Sequence, residues 1–135
     1  MLVIDANVAA AACGGEGNGF EALGDDLVSV PLMWSEARAG LHLKLHKGEI
    51  GREDAEIVHA RLEGCPVERM DPPELGAEAW RIAEEFGWGR TYDAEYVALA
   101  RLLKCRLVTL DARLRRGVDR LGIVITPSEL QSASE

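Results

Sequence analysis

The sequence predicts an α/β fold in which a central, mostly parallel sheet carries helices on both of its faces. Short apolar runs rich in valine, isoleucine and leucine alternate with longer segments of helical periodicity along nearly the whole chain. Two of these runs, residues 2–4 and 107–110, are each followed immediately by an aspartate. Open α/β sheets place their chemistry where parallel strands end, so both aspartates are expected at that edge.

Five segments are predicted as strands, because each is short, apolar and bounded by turn-forming or charged residues. They are residues 1–5, 27–30, 66–70, 106–110 and 123–125. Their alternation with helical segments is what favours a parallel arrangement.

The segments between the strands are predicted as helices, because apolar residues recur there at three- and four-residue spacing. Pro31 suits the first turn of the longest helix, and Thr91 is expected to cap the helix that begins at Tyr92. The glycine-rich residues 14–19 predict a flexible loop. The predicted helices are residues 8–13, 20–23, 31–47, 52–64, 72–86, 92–104 and 113–116, with a helical turn or tail from residue 127.

The chain of 135 residues is most simply one domain, expected to span residues 1–130 with a disordered tail over residues 131–135. No run of about 18 apolar residues is present, which argues against a membrane-spanning helix. The chain starts with a strand rather than a secretion signal. Its three cysteines match neither a zinc site nor a disulfide framework. We therefore expect a cytoplasmic protein with buried thiols.

Charge is distributed unevenly along the chain. The net charge is −8, yet residues 101–120 carry seven basic and two acidic side chains, so that this segment is +5 and the remainder is −13. A protein this acidic is not a general nucleic-acid coat, but a basic patch beside Asp111 could hold a phosphate backbone. Solvated helix faces and helix dipoles also explain basic side chains, and both interpretations stay open at this point.

Several acidic side chains are expected to converge at the carboxyl edge of the sheet. Asp5 and Asp111 follow predicted strands, and Asp93 opens a helical segment, where free N–H groups and the helix dipole stabilise an anion. Glu36, in the second turn of the helix after the second strand, is directed toward the same edge. Carboxylates this close would repel each other unless a positive charge lay between them. A divalent cation with oxygen ligands is the natural candidate.

Four short motifs resemble those of the PIN domain and, more narrowly, those of the VapC toxins of bacterial toxin–antitoxin pairs. They are Ile4-Asp5-Ala-Asn7, Trp34-Ser-Glu36-Ala, Tyr92-Asp93-Ala-Glu-Tyr96 and Leu107-Val-Thr109-Leu-Asp111. Each motif is weak alone, but together they span nearly the whole chain in order. The resemblance implies a three-layer α/β/α fold. It also implies a magnesium- or manganese-dependent endoribonuclease that hydrolyses RNA phosphodiester bonds with metal-activated water.

The resemblance further implies which residues form the site. The acidic quartet that holds the metal and carries the catalysis corresponds to Asp5, Glu36, Asp93 and Asp111. Asn7 corresponds to a polar residue that supports the site by hydrogen bonding, and Thr109 to a hydroxyl that often precedes the last aspartate. Glu95 is a further carboxylate one helical step away.

Partners are implied in the same way. An antitoxin protein and a homodimer are expected, with no association with a membrane. Contacts with the RNA backbone are expected from basic residues near the site, namely Arg38, Arg113, Arg115 and Arg116.

Two other classes of function stay open on the sequence alone. A haloacid-dehalogenase-type phosphatase also has aspartates at strand ends, but it needs a second aspartate where this chain has Asn7. A PIN-like module that binds RNA or a partner without cutting would be expected to have lost acidic residues, and this chain keeps all four. RNA cleavage with and without magnesium, beside hydrolysis of a generic phosphomonoester, separates these classes.

Overall fold

A computed structural model describes residues 1–15 and 19–134 of the protein. Its strands are β1 (Leu2–Ile4), β2 (Leu27–Ser29), β3 (Val67–Arg69), β4 (Arg106–Val108) and β5 (Val124–Ile125). They pair in parallel throughout, in the order β3-β2-β1-β4-β5. The predicted parallel sheet is therefore confirmed, and each strand begins and ends close to its predicted bounds.

Helices cover both sides of the sheet, as the predicted three-layer fold requires. Those described are α1 (Ala6–Gly14), α2 (Leu32–His46), α3 (Arg52–Glu63), α4 (Leu75–Phe86), α5 (Tyr92–Leu103), α6 (Ala112–Gly117) and α7 (Pro127–Ser134), with short 3-10 turns at Glu21–Leu23 and Asp119–Leu121. Helices α1, α2 and α3 contact one another, while α4 and α5 form a second packed pair. None of the helices in the described ranges is long and apolar enough to span a membrane.

Helix α5 is the most deeply buried helix of the core. Every residue from 96 to 100 is at most 1% exposed, and Ala94 is fully buried. The helix packs against both β1 and β4 as well as α4. The side chains of α5 are thus buried on more than one face, so that residues in its first turn stand on a rigid support.

The sheet order brings together the ends of β1 and β4, the two strands that precede Asp5 and Asp111. Ile4 is the register partner of Val108 in neighbouring strands, so the residues that follow each of them leave the sheet at the same edge. On the other side of β1, the buried Ser29 hydroxyl donates a 2.6 Å hydrogen bond to the Ile4 carbonyl. The end of β1 is thus held from both neighbouring strands.

The starts of α1 and α4 and the cap of α5 differ from the predictions. Helix α1 begins at Ala6 rather than residue 8, because the Asp5 side chain caps it. Helix α4 begins at Leu75 rather than residue 72, and the Leu75 N–H donates to the Pro72 carbonyl in a turn before it. The reason is steric, because a residue that precedes a proline is disfavoured in the helical region. Thr91 does precede α5, but its backbone, with ψ near 0°, is not in the extended region that a capping side chain needs, and it makes no capping bond.

The end of the chain is helical to Ser134, where the sequence predicted a disordered tail over residues 131–135. A reciprocal pair of 3.2 Å bonds between Thr126 and Glu129 caps the start of α7. The Arg115 guanidinium of α6 also donates a hydrogen bond to each oxygen of the Glu129 carboxylate, at 3.0 and 3.1 Å. Glu135, and residues 16–18 of the predicted glycine-rich loop, lie outside the described residues.

Candidate active site

Side chains from three separate elements meet in one cleft at the carboxyl edge of the sheet. Glu36 comes from the second turn of α2, Asp93 from the first turn of α5, and Asp111 from the residue before α6. The cleft has a volume of about 560 Å³. The rest of its wall consists of residues 87–90, 92, 113, 114 and 117. The structure therefore brings together three of the four carboxylates that the sequence singled out.

The fourth carboxylate, Asp5, is only 6% exposed and does not line this cleft. One of its oxygens accepts a 3.0 Å hydrogen bond from the Val8 N–H and thereby caps α1. The other accepts a 2.5 Å hydrogen bond from the Thr109 hydroxyl. Asp5 is thus fixed in position between the end of β1 and the end of β4.

Thr109 connects two of the acidic residues. Its hydroxyl oxygen, fully buried with the rest of the side chain, accepts a 3.0 Å bond from the Asp111 N–H while it donates to Asp5. Asp111 in turn caps α6, because its Oδ1 accepts from the N–H groups of Arg113 and Leu114 at 2.9 and 3.1 Å. The hydroxyl expected before the last aspartate therefore links the Asp5 carboxylate to the backbone of Asp111.

Glu36 has a partner that the sequence reading missed. The Tyr96 hydroxyl donates a 2.6 Å hydrogen bond to Glu36 Oε1, which joins α5 to α2 across the site. Tyr96 belongs to the third motif but was not among the predicted site residues, and it is only 1% exposed. A buried tyrosine nevertheless needs a hydrogen-bond partner, and its position three residues after Asp93 on a helix was a signal that it faces the same side.

The electrostatics of the site are those of uncompensated negative charge. Burial raises the pKa of Asp5, and the charges of Asp93 and Asp111 raise it further, against the hydrogen bonds from Thr109 and Val8. Burial also raises the pKa of Asp93, with Asp111 adding to the effect and Arg113 opposing it. Within the described ranges, no basic side chain forms an ion pair with any of the four carboxylates.

Glu95 belongs to the same acidic surroundings. Burial raises the pKa of its carboxyl, and the charges of Glu36 and then Asp71 raise it further. Glu95 does not line the cleft itself. It therefore adds to the negative potential rather than to the set of groups that face the cleft.

The donor set suits a hard divalent cation, since it consists entirely of carboxylate oxygens. In the part of the chain that the structure describes, no three histidine, cysteine, aspartate or glutamate side chains are close enough to surround a metal ion directly. The residues present therefore fit such an ion through the chemistry of their oxygen donors, and not through a ready cluster of three ligands within the described residues.

Asn7 is exposed in the first turn of α1 and lines a neighbouring groove of about 300 Å³ between α1, α2 and α3. Glu36 lines both this groove and the main cleft. The predicted supporting residue is therefore next to the site rather than within the main cleft.

The four predicted RNA-binding arginines separate into two groups. Arg113 lines the cleft, and its charge lowers the pKa of Asp93. Arg116 is exposed on the same short helix. Arg115 is instead bound to Glu129 and Asp119. Arg38 pairs with Glu63 and borders a different groove, between α2 and α3. Of the four, only Arg113 lines the acidic cleft, and Arg116 lies on the helix that carries it.

Three further side chains of the cleft wall, Trp88, Arg90 and Tyr92, were not predicted as site residues. A signal was available, because the segment that leads into a helix with an acidic first turn must itself border that acidic site.

Comparison with known proteins identifies relatives of this chain. A family model described as the PIN domain matches residues 2–119. The VapC ribonuclease Mb0985 of Mycobacterium bovis and the ribonuclease VapC9 of Mycobacterium tuberculosis are each 33% identical to the chain over 129 residues. These matches cover 94% of this chain and 99% of each relative.

Solved structures show the same fold at lower identity. PAE2754 from Pyrobaculum aerophilum matches with a TM-score of 0.77 at 22% identity, covering 99% of this chain and 97% of that one. A toxin–antitoxin complex from Klebsiella pneumoniae contains a chain that matches with a TM-score of 0.68 at 17% identity, covering 94% and 98%. Both likenesses extend over nearly the full length of the chain.

The raised pKa of Asp93 predicts a pH dependence of stability in the presence of a chelator. Because the folded chain keeps this proton to a higher pH than the unfolded chain does, stability falls as pH rises through the interval above the ordinary aspartate pKa of about 4. Asp93→Asn should therefore raise the melting temperature of the chelated protein at pH 7, and this gain should shrink toward pH 4. Thermal melts across that range measure it.

The matched control is Asp25→Asn, which neutralises an exposed carboxylate in a bend away from the cleft. Its effect on the melting temperature should be small and should not follow the same pH course. A chelated Asp93→Asn variant that melts below the wild type at pH 7 would show that this carboxylate is not under repulsion.

Proposed function

Because the chain belongs to the PIN domain family and, within it, to the VapC group, we propose that it is a metal-dependent endoribonuclease and the toxin of a type II toxin–antitoxin pair. The observation that carries the proposal is the convergence of Glu36, Asp93 and Asp111 on one cleft, with Asp5 fixed beside them. The relatives named as ribonucleases match over nearly the whole chain, so that the complete fold is shared rather than a fragment.

The proposed cofactor is Mg²⁺ or Mn²⁺, held by Asp5, Glu36, Asp93 and Asp111 directly or through water. Such a cation, when bound, polarises a phosphoryl oxygen and lowers the pKa of a water molecule. All four candidates provide hard oxygen donors, which is the ligand type these ions prefer. The unbalanced negative charge of the site supports the assignment.

Each side chain has a distinct proposed role in hydrolysis of the phosphodiester. Asp5 and Asp111 hold the charge of the cofactor at a fixed spacing, because one threonine hydroxyl is bonded to both residues. Glu36 is held by Tyr96 through Oε1, so its other oxygen is available to orient the attacking water. Arg113, on the wall of the same cleft, is the proposed contact for a substrate phosphate.

The proposed partners are an RNA substrate and an antitoxin protein, with a homodimer as a further expectation and the cytoplasm as the proposed location. A solved structure with the same fold is described as a toxin–antitoxin complex, which supports the second partner. Local electrostatics support the first. A chain of net charge −8 presents Arg113 and Arg116 beside the cleft, so that a polyanion can approach there.

Asp5→Asn and Asp93→Asn should each reduce RNA cleavage by more than about a hundredfold, because each removes an anionic ligand candidate while nearly conserving shape. In the Asp5→Asn variant the amide oxygen can still accept the Val8 N–H, so the variant should fold. The measurement is cleavage of a labelled RNA by purified protein with magnesium, manganese or chelator, with circular dichroism as the check on folding.

Asp54→Asn serves as the control, because this carboxylate is exposed in the first turn of α3 and does not line the cleft. It should cleave RNA as the wild type does. Full cleavage by either site variant, or undiminished cleavage by the wild type in chelator, would contradict the metal-site assignment.

Arg113→Ala combined with Arg116→Ala should weaken RNA binding and reduce its salt dependence without changing metal affinity. Each lost contact with single-stranded RNA should lower the slope of log K against log salt by about 0.7. Arg106→Ala is the matched control from the same +5 segment, since Arg106 starts β4 and therefore lies at the opposite edge of the sheet. An unchanged slope in the double variant would identify these arginines as ordinary surface residues.

A further inference from the structure

We propose that Tyr92, Arg90 and Arg113 form a subsite for one unpaired nucleotide of single-stranded RNA. In this arrangement the base stacks on the Tyr92 ring and the neighbouring phosphates pair with the two guanidinium groups. The inference rests on the proposed function, because it describes how the same cleft would hold its substrate.

Tyr92 is a large aromatic side chain that folding leaves 52% exposed, although it borders the cleft. Within the described residues, no aromatic ring stacks on it and no hydrogen bond uses its hydroxyl. It directly precedes Asp93 in the chain. Because Tyr92 and Asp93 line the same cleft, a base stacked on this ring would have its own sugar and phosphate near the acidic residues.

The wall that carries Tyr92 and Arg90 is anchored to the core. Gly87 ends α4 with a φ of 72°, a conformation that favours glycine, and the Trp88 N–H then donates a 2.8 Å bond to the Ala83 carbonyl. The Trp88 ring is stacked on Phe86, with 5.6 Å between ring centroids. Trp88 thus already stacks on a ring of the protein, whereas the exposed ring of Tyr92 is available to a ligand on a wall that is already ordered.

The cations around the cleft differ in whether the protein already neutralises them. Arg120 pairs with Glu85, and Arg115 pairs with Glu129 and Asp119. Arg90 and Arg113 line the cleft, and neither has an ion-pair partner among the residues that the structure describes. Two available cations therefore border an acidic floor, where they can hold phosphates that the carboxylates alone would repel.

The combination of a free aromatic face with free cations indicates a single strand rather than a duplex. Bases in a duplex are stacked on one another, so their faces are hidden from a protein side chain. Unpaired bases expose those faces, and aromatic residues bind them with little dependence on sequence. Stacking is also far less sensitive to salt than phosphate contacts are, which gives the two parts of the subsite different signatures.

Binding is tested in the Asp5→Asn variant. This substitution suppresses cleavage of the RNA, and it leaves the lining of the cleft unchanged because Asp5 does not line it. The probes are a labelled single-stranded oligoribonucleotide in magnesium and the same strand annealed to its complement. Tyr92→Leu should weaken single-strand binding by roughly tenfold at every salt concentration. Tyr92→Phe should bind as the parent does. Arg90→Ala should instead lower the slope of log K against log salt by about 0.7.

Trp80→Leu is the control for the loss of an aromatic side chain, because Trp80 is 63% exposed on α4 and lies outside the cleft. It should leave binding unchanged. In the otherwise wild-type protein, Tyr92→Leu should raise KM more than it lowers kcat. Melting temperatures of all variants verify that they are folded.

Equal binding by Tyr92→Leu and its parent, or equal affinity for the single strand and the duplex, would overturn the subsite. If the wild type cleaves RNA with metal and Tyr92→Leu has the same RNA affinity and KM as its parent, the subsite is overturned while the proposed function stands. A wild type that cleaves no RNA with either metal would instead overturn the proposed function.

Discussion

The rest of the site depends on one electrostatic constraint, which is that carboxylates are held close together without basic side chains bound to them in the described residues. Asp5 cannot swing away, because the Val8 N–H and the Thr109 hydroxyl each bind one of its oxygens. Asp111 is tied to the same threonine through its own N–H. Burial and the neighbouring charges accordingly raise the pKa of Asp5. Repulsion within a fixed geometry is relieved by a bound cation, whose binding free energy then adds to the stability of the fold.

The fold supplies this geometry through its sheet order and its most buried helix. Because β1 lies beside β4, the aspartates that follow these strands lie at one edge of the sheet. Helix α5 packs against both strands. The hydrogen bond from Tyr96 to Glu36 then joins α2 to α5 across the site. The acidic residues come from four distant positions in the sequence, so the cleft exists only when the whole domain is folded.

The sequence was informative where a local pattern determines position. Asp5 and Asp111 were placed at the correct edge of the sheet because each follows an apolar strand segment, and parallel strands share an edge. The pairing of side chains far apart in sequence has no such local signature. Arg38 could not be known to pair with Glu63, nor Tyr96 with Glu36, because these contacts follow from helix packing. The start of α4 was misjudged for a local reason, since the steric effect of two consecutive prolines outweighed helical periodicity.

The most direct test of the central claim is the melting temperature of the wild type and of Asp111→Asn, each with chelator, magnesium or manganese. Asparagine keeps the oxygen that caps α6, so the variant should fold. We predict that both ions raise the melting temperature of the wild type, by the equivalent of about 2.7 kcal/mol at a hundredfold excess over the dissociation constant. We also predict that Asp111→Asn melts higher in chelator and gains less from metal. A wild-type melting temperature that does not change with either ion up to millimolar concentration would contradict the claim that these carboxylates bind a divalent cation.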